Sequence, residues 1–205
     1  MNSIRHLVLG AARSGKTRFA LNTAKSLARA QGSEVIYVAT AEAHDDEMRE
    51  RIARHRAERP VEWHTLEAPR DLAQSLTPFA PAASGAPLAS RDASAVAGEH
   101  RPVIFVVDCL TLWLSNALLR DFNEDAPTGP LPTWSREREA FMTWAKRCAH
   151  PLILVSNEVG GGVVPASALA RRFQSEQGWL NQDIASVCEQ VTLVVAGLPI
   201  VIKSP

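Results

Sequence analysis

The feature that most constrains this chain is Gly10-Ala11-Ala12-Arg13-Ser14-Gly15-Lys16-Thr17, which follows the apolar run Leu7-Val8-Leu9 and leads into a helical pattern. The spacing is that of a phosphate-binding P-loop. Its glycines let backbone N–H groups wrap an anion, Lys16 sets a point charge between phosphates, and Thr17 offers a hydroxyl to Mg²⁺. The alternative is a Gly-rich turn that binds nothing. Strand, phosphate loop and helix in that order admit few folds, and the rest of the chain narrows them further.

Residues 4–9, 34–39, 103–108, 152–156 and 191–196 are short β-rich runs, several apolar throughout, as strands covered on both faces are. Helical patterns lie between them at 17–31, 45–58, 110–121, 135–149 and about 166–190, and 199–203 reads as a last strand antiparallel to its neighbour. This alternation predicts an α/β fold, a mostly parallel sheet flanked by helices, in a single domain over 1–205. Residues 77–100, rich in Ala, Ser, Pro and Gly, are expected to form a flexible surface insertion, and 123–133 a second loop.

Lys+Arg and Asp+Glu both number 22, so no global field favours nucleic acid or an anionic membrane. A bound nucleotide must be held by a local site. Cys109, Cys148 and Cys188 are far apart and fit buried thiols in a reducing compartment. Without a signal-like start or a run of transmembrane length, the expectation is a cytoplasmic protein with no membrane insertion.

Three segments beyond the loop carry candidate chemistry. The strand at 103–108 ends in Asp108, where P-loop domains hold Mg²⁺ or its waters. Asp108 also reads as a helix N-cap before Leu110, with Thr111 as the other capping candidate. A polar cluster follows the second strand: Thr40, Glu42, His44, Asp45, Asp46, Glu47, Arg51, His55, Arg56, Glu58 and Arg59, with Trp63 and Glu67 beyond. Asp45 and Asp46 suit a helix N-terminus. Arg51, His55 and Arg59 fall four apart on one helical face, with Met48 and Ile52 on the next stripe. Such a histidine reads either as a plain surface residue or as one placed to meet phosphate, and His44 is an equal contender. Last, Ser156-Asn157-Glu158-Val159-Gly160-Gly161-Gly162 is a strand running into a glycine-rich loop, either a close approach to ligand or a flexible connection. Arg171, Arg172, Gln174, Asn181 and Gln182 on the long helix read as pocket lining or as its solvated side.

Taken in order, these pieces resemble the bifunctional adenosylcobinamide kinase/adenosylcobinamide-phosphate guanylyltransferase family. The likeness rests on GAARSGKT at 10–17, YVATA at 37–41, DDEMRERIARHRAERP at 45–60, WHTLE at 63–67, DCLTLWLSN at 108–116, SNEVGGGVVP at 156–165 and GWLNQ at 178–182. The resemblance implies a RecA-like P-loop NTPase sheet, a homotrimer, and His55 as a nucleophile that carries GMP. It implies GTP binding by Gly10, Ala11, Ala12, Arg13, Ser14, Gly15, Lys16 and Thr17, by Thr40, Ala41 and Glu42, by Arg56, Ala57, Glu58 and Arg59, and by Glu67 and Asp108. Thr17 and Asp108 would hold Mg²⁺. The implied substrates are adenosylcobinamide, phosphorylated by ATP or GTP, and adenosylcobinamide phosphate, which receives GMP. Ser175 departs from the family pattern, standing where an aspartate is common after the Arg-Phe pair.

Overall fold

The apolar runs pair into one sheet. In a computed structural model, which describes residues 4–43, 45–57, 59–79 and 102–204, the order is β1 (Arg5–Gly10), α1 (Lys16–Gln31), β2 (Glu34–Ala39), α2 (Asp46–Ala57), β3 (His64–Glu67), α3 (Leu72–Leu76), a 3₁₀ turn (Thr77–Phe79), β4 (Val103–Asp108), α4 (Leu110–Asp121), α5 (Pro132–Arg147), β5 (Leu152–Asn157), α6 (Ala168–Val187), β6 (Gln190–Val195) and β7 (Leu198–Lys203). The seven strands lie in the order β3-β2-β4-β5-β1-β6-β7. Every pairing is parallel except that of β6 with β7, as the sequence predicts.

Period two sends alternate side chains to opposite faces of the sheet. Leu7, Leu9, Ile36, Val38, Phe105, Val107, Leu152 and Leu154 form one core with α3, α4, α5 and α6, while Val8, Val35, Tyr37, Ile104, Val106, Ile153 and Val155 meet Ala20, Leu21 and Ala24 of α1. Both faces are covered, which is why β4 and β5 are apolar along nearly their whole length. Helix α1 ends where Gly32 turns left-handed (φ 63°) and its N–H returns to Ala28 O.

The sequence reading missed β3 and α3. The former is four residues long, mostly exposed and at the sheet edge, and the latter spans five residues. The expected insertion at 77–100 begins in the 3₁₀ turn, where Phe79 packs edge-on to Phe105. Its remainder, residues 80–100, lies outside the described residues.

One buried carboxylate ties the helical layer together. Glu137, 2% exposed, accepts hydrogen bonds from Trp113 Nε1 (2.8 Å), the Asp71 backbone N–H (3.1 Å) and Arg120 Nη2 (3.2 Å). Removing it strands an indole N–H, a peptide N–H and part of a guanidinium in low dielectric. Glu137→Ala is therefore expected to destabilise the fold by roughly 3 kcal/mol, read as a lowered urea midpoint. A midpoint equal to wild type overturns this account of the layer.

Candidate active site

The phosphate loop leaves β1 at Gly10, where an added Cβ would meet Ser14 Oγ at 2.4 Å and the Val194 carbonyl oxygen at 2.7 Å. Only glycine fits there. Arg13 (φ 57°) and Gly15 (φ 93°) both turn left-handed, the alternation that aims successive N–H groups into a concavity. The loop is closed by Ser14 N–H to Ala11 O (3.2 Å) and buttressed by Gly197 N–H to Ser14 O (2.8 Å). Lys16, 7% exposed, donates from Nζ to Ala11 O at 3.1 Å, so its ammonium lies across the loop. Ser14 Oγ is buried without a protein hydrogen-bond partner, packed against Gly10. Ala11, Ala12 and Arg13 stand exposed at the loop's rim.

Beside the loop, at the C-terminal ends of the parallel strands, opens a cleft of about 360 Å³. Its polar lining comprises Lys16, Thr17, Tyr37, Glu42, Arg59, Glu67, Asp108 and Asn157. Ala39, Ala41, Met48, Ile52, Pro69 and Leu112 supply an apolar wall. Cationic and polar groups together with apolar side chains in one cleft beside the loop suit a nucleotide, whose phosphates need the former and whose base the latter.

Of the residues singled out in the sequence, Lys16, Thr17, Ala41, Glu42, Arg59, Glu67 and Asp108 share this cleft. Arg56 and Ala57 are exposed and are not among its lining. Glu58 and His44 lie outside the described residues. His55 sits in the last turn of α2, the helix that brings Met48 and Ile52 to the cleft, and its side chain lies outside the described residues. Asp45 caps α2, accepting the Met48 N–H on Oδ1 at 2.7 Å.

Thr40 holds backbone rather than cleft. Fully buried, its Oγ1 donates to Cys109 O (2.7 Å) and accepts the Cys109 N–H (2.8 Å), clasping the cis Asp108–Cys109 junction to the end of β2. Neither capping candidate caps α4. Cys109 is its N-cap residue, without a side-chain bond; the Thr111 hydroxyl accepts the Asn157 N–H (2.8 Å) instead. The Asp108 carboxylate accepts from Tyr37 Oη at 2.6 Å. Glu42 faces the cleft but is forked by Arg70, with Nε at 2.7 Å and Nη2 at 3.3 Å.

Tyr37 was missed because a tyrosine in an apolar strand reads as core. It is core by burial (1% exposed), yet its hydroxyl anchors Asp108, and the Arg59 guanidinium carbon lies 3.6 Å from its ring centroid. Burial, then the adjacent Asp108 charge, pushes the phenol far above its ordinary range, so it remains a protonated donor. The Asn181 of the long helix is likewise neither solvated nor a lining residue: its Nδ2 donates to Asn157 O (3.0 Å), and its Oδ1 accepts from Ser156 Oγ (2.7 Å) and Gln177 Nε2 (3.0 Å).

Among the described residues no group of three His, Cys, Asp or Glu side chains forms a metal cage. One carboxylate, Asp108, and one hydroxyl, Thr17, fit an ion that arrives with phosphates and completes its shell with them and with water.

A family model described as cobinamide kinase / cobinamide phosphate guanyltransferase matches residues 6–202. The chain belongs to that family. It is thus an enzyme, a transferase joining a kinase to a guanyltransferase. The bifunctional adenosylcobalamin biosynthesis protein CobP of Pseudomonas aeruginosa is 44% identical over 200 residues, with 98% of each chain covered. The proteins of the same description named CobU from Escherichia coli and Salmonella typhimurium are 32% identical over 203 residues and 33% over 206, each alignment covering 96% of this chain and 98% of the relative. The match spans both the P-loop and the 156–165 loop, so the whole architecture is that of the family.

Proposed function

We propose that this enzyme phosphorylates the aminopropanol hydroxyl of adenosylcobinamide with ATP or GTP, then transfers GMP from GTP to the new phosphate, giving adenosyl-GDP-cobinamide in adenosylcobalamin biosynthesis. The observation that carries the reading is the single cleft gathering Lys16, Thr17 and Asp108 with Arg59 and Glu67 beneath α2. In the second reaction a neutral imidazole nitrogen of His55 attacks the α-phosphorus of GTP. The N–P bond forms, the bond to the bridging oxygen breaks, and pyrophosphate leaves. A phosphate oxygen of adenosylcobinamide phosphate then displaces the imidazole, regenerating it. The main support for His55 is the resemblance, together with its position in the last turn of the helix that walls the cleft.

Lys16 and the loop N–H groups neutralise charge building on the β- and γ-phosphates, and Arg59 lines the same cleft. Thr17 and Asp108 would hold Mg²⁺, which would supply Lewis-acid neutralisation of the phosphate oxygens. Tyr37 holds Asp108 in one orientation, and Arg59 rests on the same ring, so β2 sets both.

The homotrimer finds support in β7, an edge strand whose Leu198, Ile200, Val201 and Ile202 are all more than half exposed. Sedimentation at three times the monomer mass is the expected result. Cytoplasmic residence is supported by three buried free cysteines, and no described helix is long and apolar enough to cross a membrane.

The test is incubation with α-labelled GTP and Mg²⁺ followed by denaturation. A phosphoramidate leaves label that is acid-labile and alkali-stable. Turnover of adenosylcobinamide phosphate by a protein that never acquires label overturns the covalent route, and a chain that phosphorylates no cobinamide overturns the kinase half.

A further inference from the structure

Asp108, the one aspartate of the cleft, is fixed from the neighbouring strand. In the β2–β4 register Ala39 lies opposite Asp108 and Tyr37 opposite Val106, so Tyr37 sits two residues deeper on the same face as Ala39. Ala39 has no long side chain to fill the space beside Asp108. The Tyr37 phenol crosses that diagonal instead, and its Oη donates to Oδ2 at 2.6 Å. The donor has little freedom to move, since the ring is 1% exposed, clustered with Ala20, Leu21 and Ala24 of α1, and carries the Arg59 guanidinium at 3.6 Å from its centroid. Among the described residues Oδ1 has no hydrogen-bond partner. One oxygen of the carboxylate is thus held by the protein and the other is left for a ligand.

A carboxylate held in this way is a different ligand from a free one. Mg²⁺ demands a near-ideal octahedral shell, keeps several waters and needs only one oxygen from a carboxylate, whereas Ca²⁺ takes more ligands in a looser array and readily uses both oxygens. Selection between the two ions follows ligand number and flexibility. Turning both Asp108 oxygens onto an ion bends or breaks the Tyr37 bond, and a phenol packed on all sides does not follow the turn. Resting on the assignment of the ion to Thr17 and Asp108 in the proposed function, we propose that Tyr37 makes Asp108 a rigid one-oxygen ligand and so selects Mg²⁺ over Ca²⁺. The other places around the ion fall to the Thr17 hydroxyl, the nucleotide's phosphates and water. Tyr37 acts only through Asp108, as a positioning residue. The sequence places it there by a tyrosine two positions before a small residue, on the strand paired with the one that ends in the aspartate.

The experiment uses the full chain, Mn²⁺ as a paramagnetic probe, and α,β-methylene GTP, whose P–C–P link blocks attack at the α-phosphorus. With no acceptor present, displacement of bound Mn²⁺ by Mg²⁺ or Ca²⁺ reads the two ion affinities without turnover. The wild-type complex is expected to favour Mg²⁺ over Ca²⁺ by at least ~10-fold more than the free analogue does. In Tyr37→Phe, which removes only the hydroxyl and keeps the ring beneath Arg59, that preference is expected to fall about 10-fold, mainly through weaker Mg²⁺ binding. Affinity for the analogue in EDTA stays within about 3-fold of wild type. A preference unchanged in Tyr37→Phe overturns the inference. So does a joint loss of affinity for both ions and for the metal-free analogue, which marks the hydroxyl as merely structural. A wild type that prefers Mg²⁺ no more than the free analogue overturns it too, and that comparison requires no variant to fold. If Asp108→Asn holds Mn²⁺ as tightly as wild type, the ion does not sit at Asp108, and the proposed ion site fails together with what rests on it.

Discussion

Lys16→Ala is expected to abolish both transfers, each rate falling by at least ~10³-fold, because the same ammonium serves γ-phosphoryl transfer and pyrophosphate departure. Its Nζ spans the loop to Ala11 O, and its side chain is almost fully buried against the cleft. A phosphate entering the loop takes up a cation already positioned beside it, so the gain is not spent on ordering a long side chain. Lys16→Arg is expected to rescue little. A planar fork does not occupy the space of a compact ammonium in a loop this tight. Binding and single-turnover measurements with GTP check the prediction, and ordinary affinity with ordinary turnover in Lys16→Ala refutes the P-loop assignment.

His55→Ala is expected to lose covalent label altogether and to lower GMP transfer by at least ~10⁴-fold, since no other group supplies the bond that the two-step route requires. His55→Asn keeps a polar side chain of similar reach and is expected to fail equally, because an amide nitrogen has no free electron pair to attack phosphorus. Residual GMP transfer near the wild-type rate in either variant points to direct attack by the cobinamide phosphate on GTP. The retained label after denaturation, compared across the three proteins, decides between the routes.

The long apolar strands, the P-loop and the antiparallel return at the C-terminus were legible because each is governed by local pattern: period, glycine spacing, a carboxylate at a strand end. Elements ruled by tertiary context were not. His64–Glu67 is a strand only because β2 offers it an edge, and its exposed four residues carry no alternation that a sequence window detects. The helix expected to run to 190 stops at Val187, where Cys188 turns extended and Gln190 is drawn into β6. The same divide runs through the site. That Lys16, Thr17 and Asp108 meet in one cleft is what residue type and position suggest, and that Arg59 and Glu67 join them is what the resemblance suggests, whereas Tyr37 and Asn181 act through partners far off in the chain, such as the 71 residues separating Tyr37 from Asp108. Thr40 shows the reverse error, a polar residue in a promising segment whose hydroxyl is spent on Cys109.

The place of β1 in the sheet sets the order in which the molecule is finished. It lies between β5 and β6, with Arg5 opposite Leu152 and His6 opposite Gln190. The strand that delivers the phosphate loop therefore precedes β2 and β4 in the chain, whereas both its neighbours follow them. Until they emerge, the β2–β4 pair assembles without it, and the loop has neither its Asn157 flank nor the Gly197 buttress. Nucleotide capture by a nascent chain thus reports that β5 and β6 have joined β1, and a fragment truncated before β5 inherits the motif without the site.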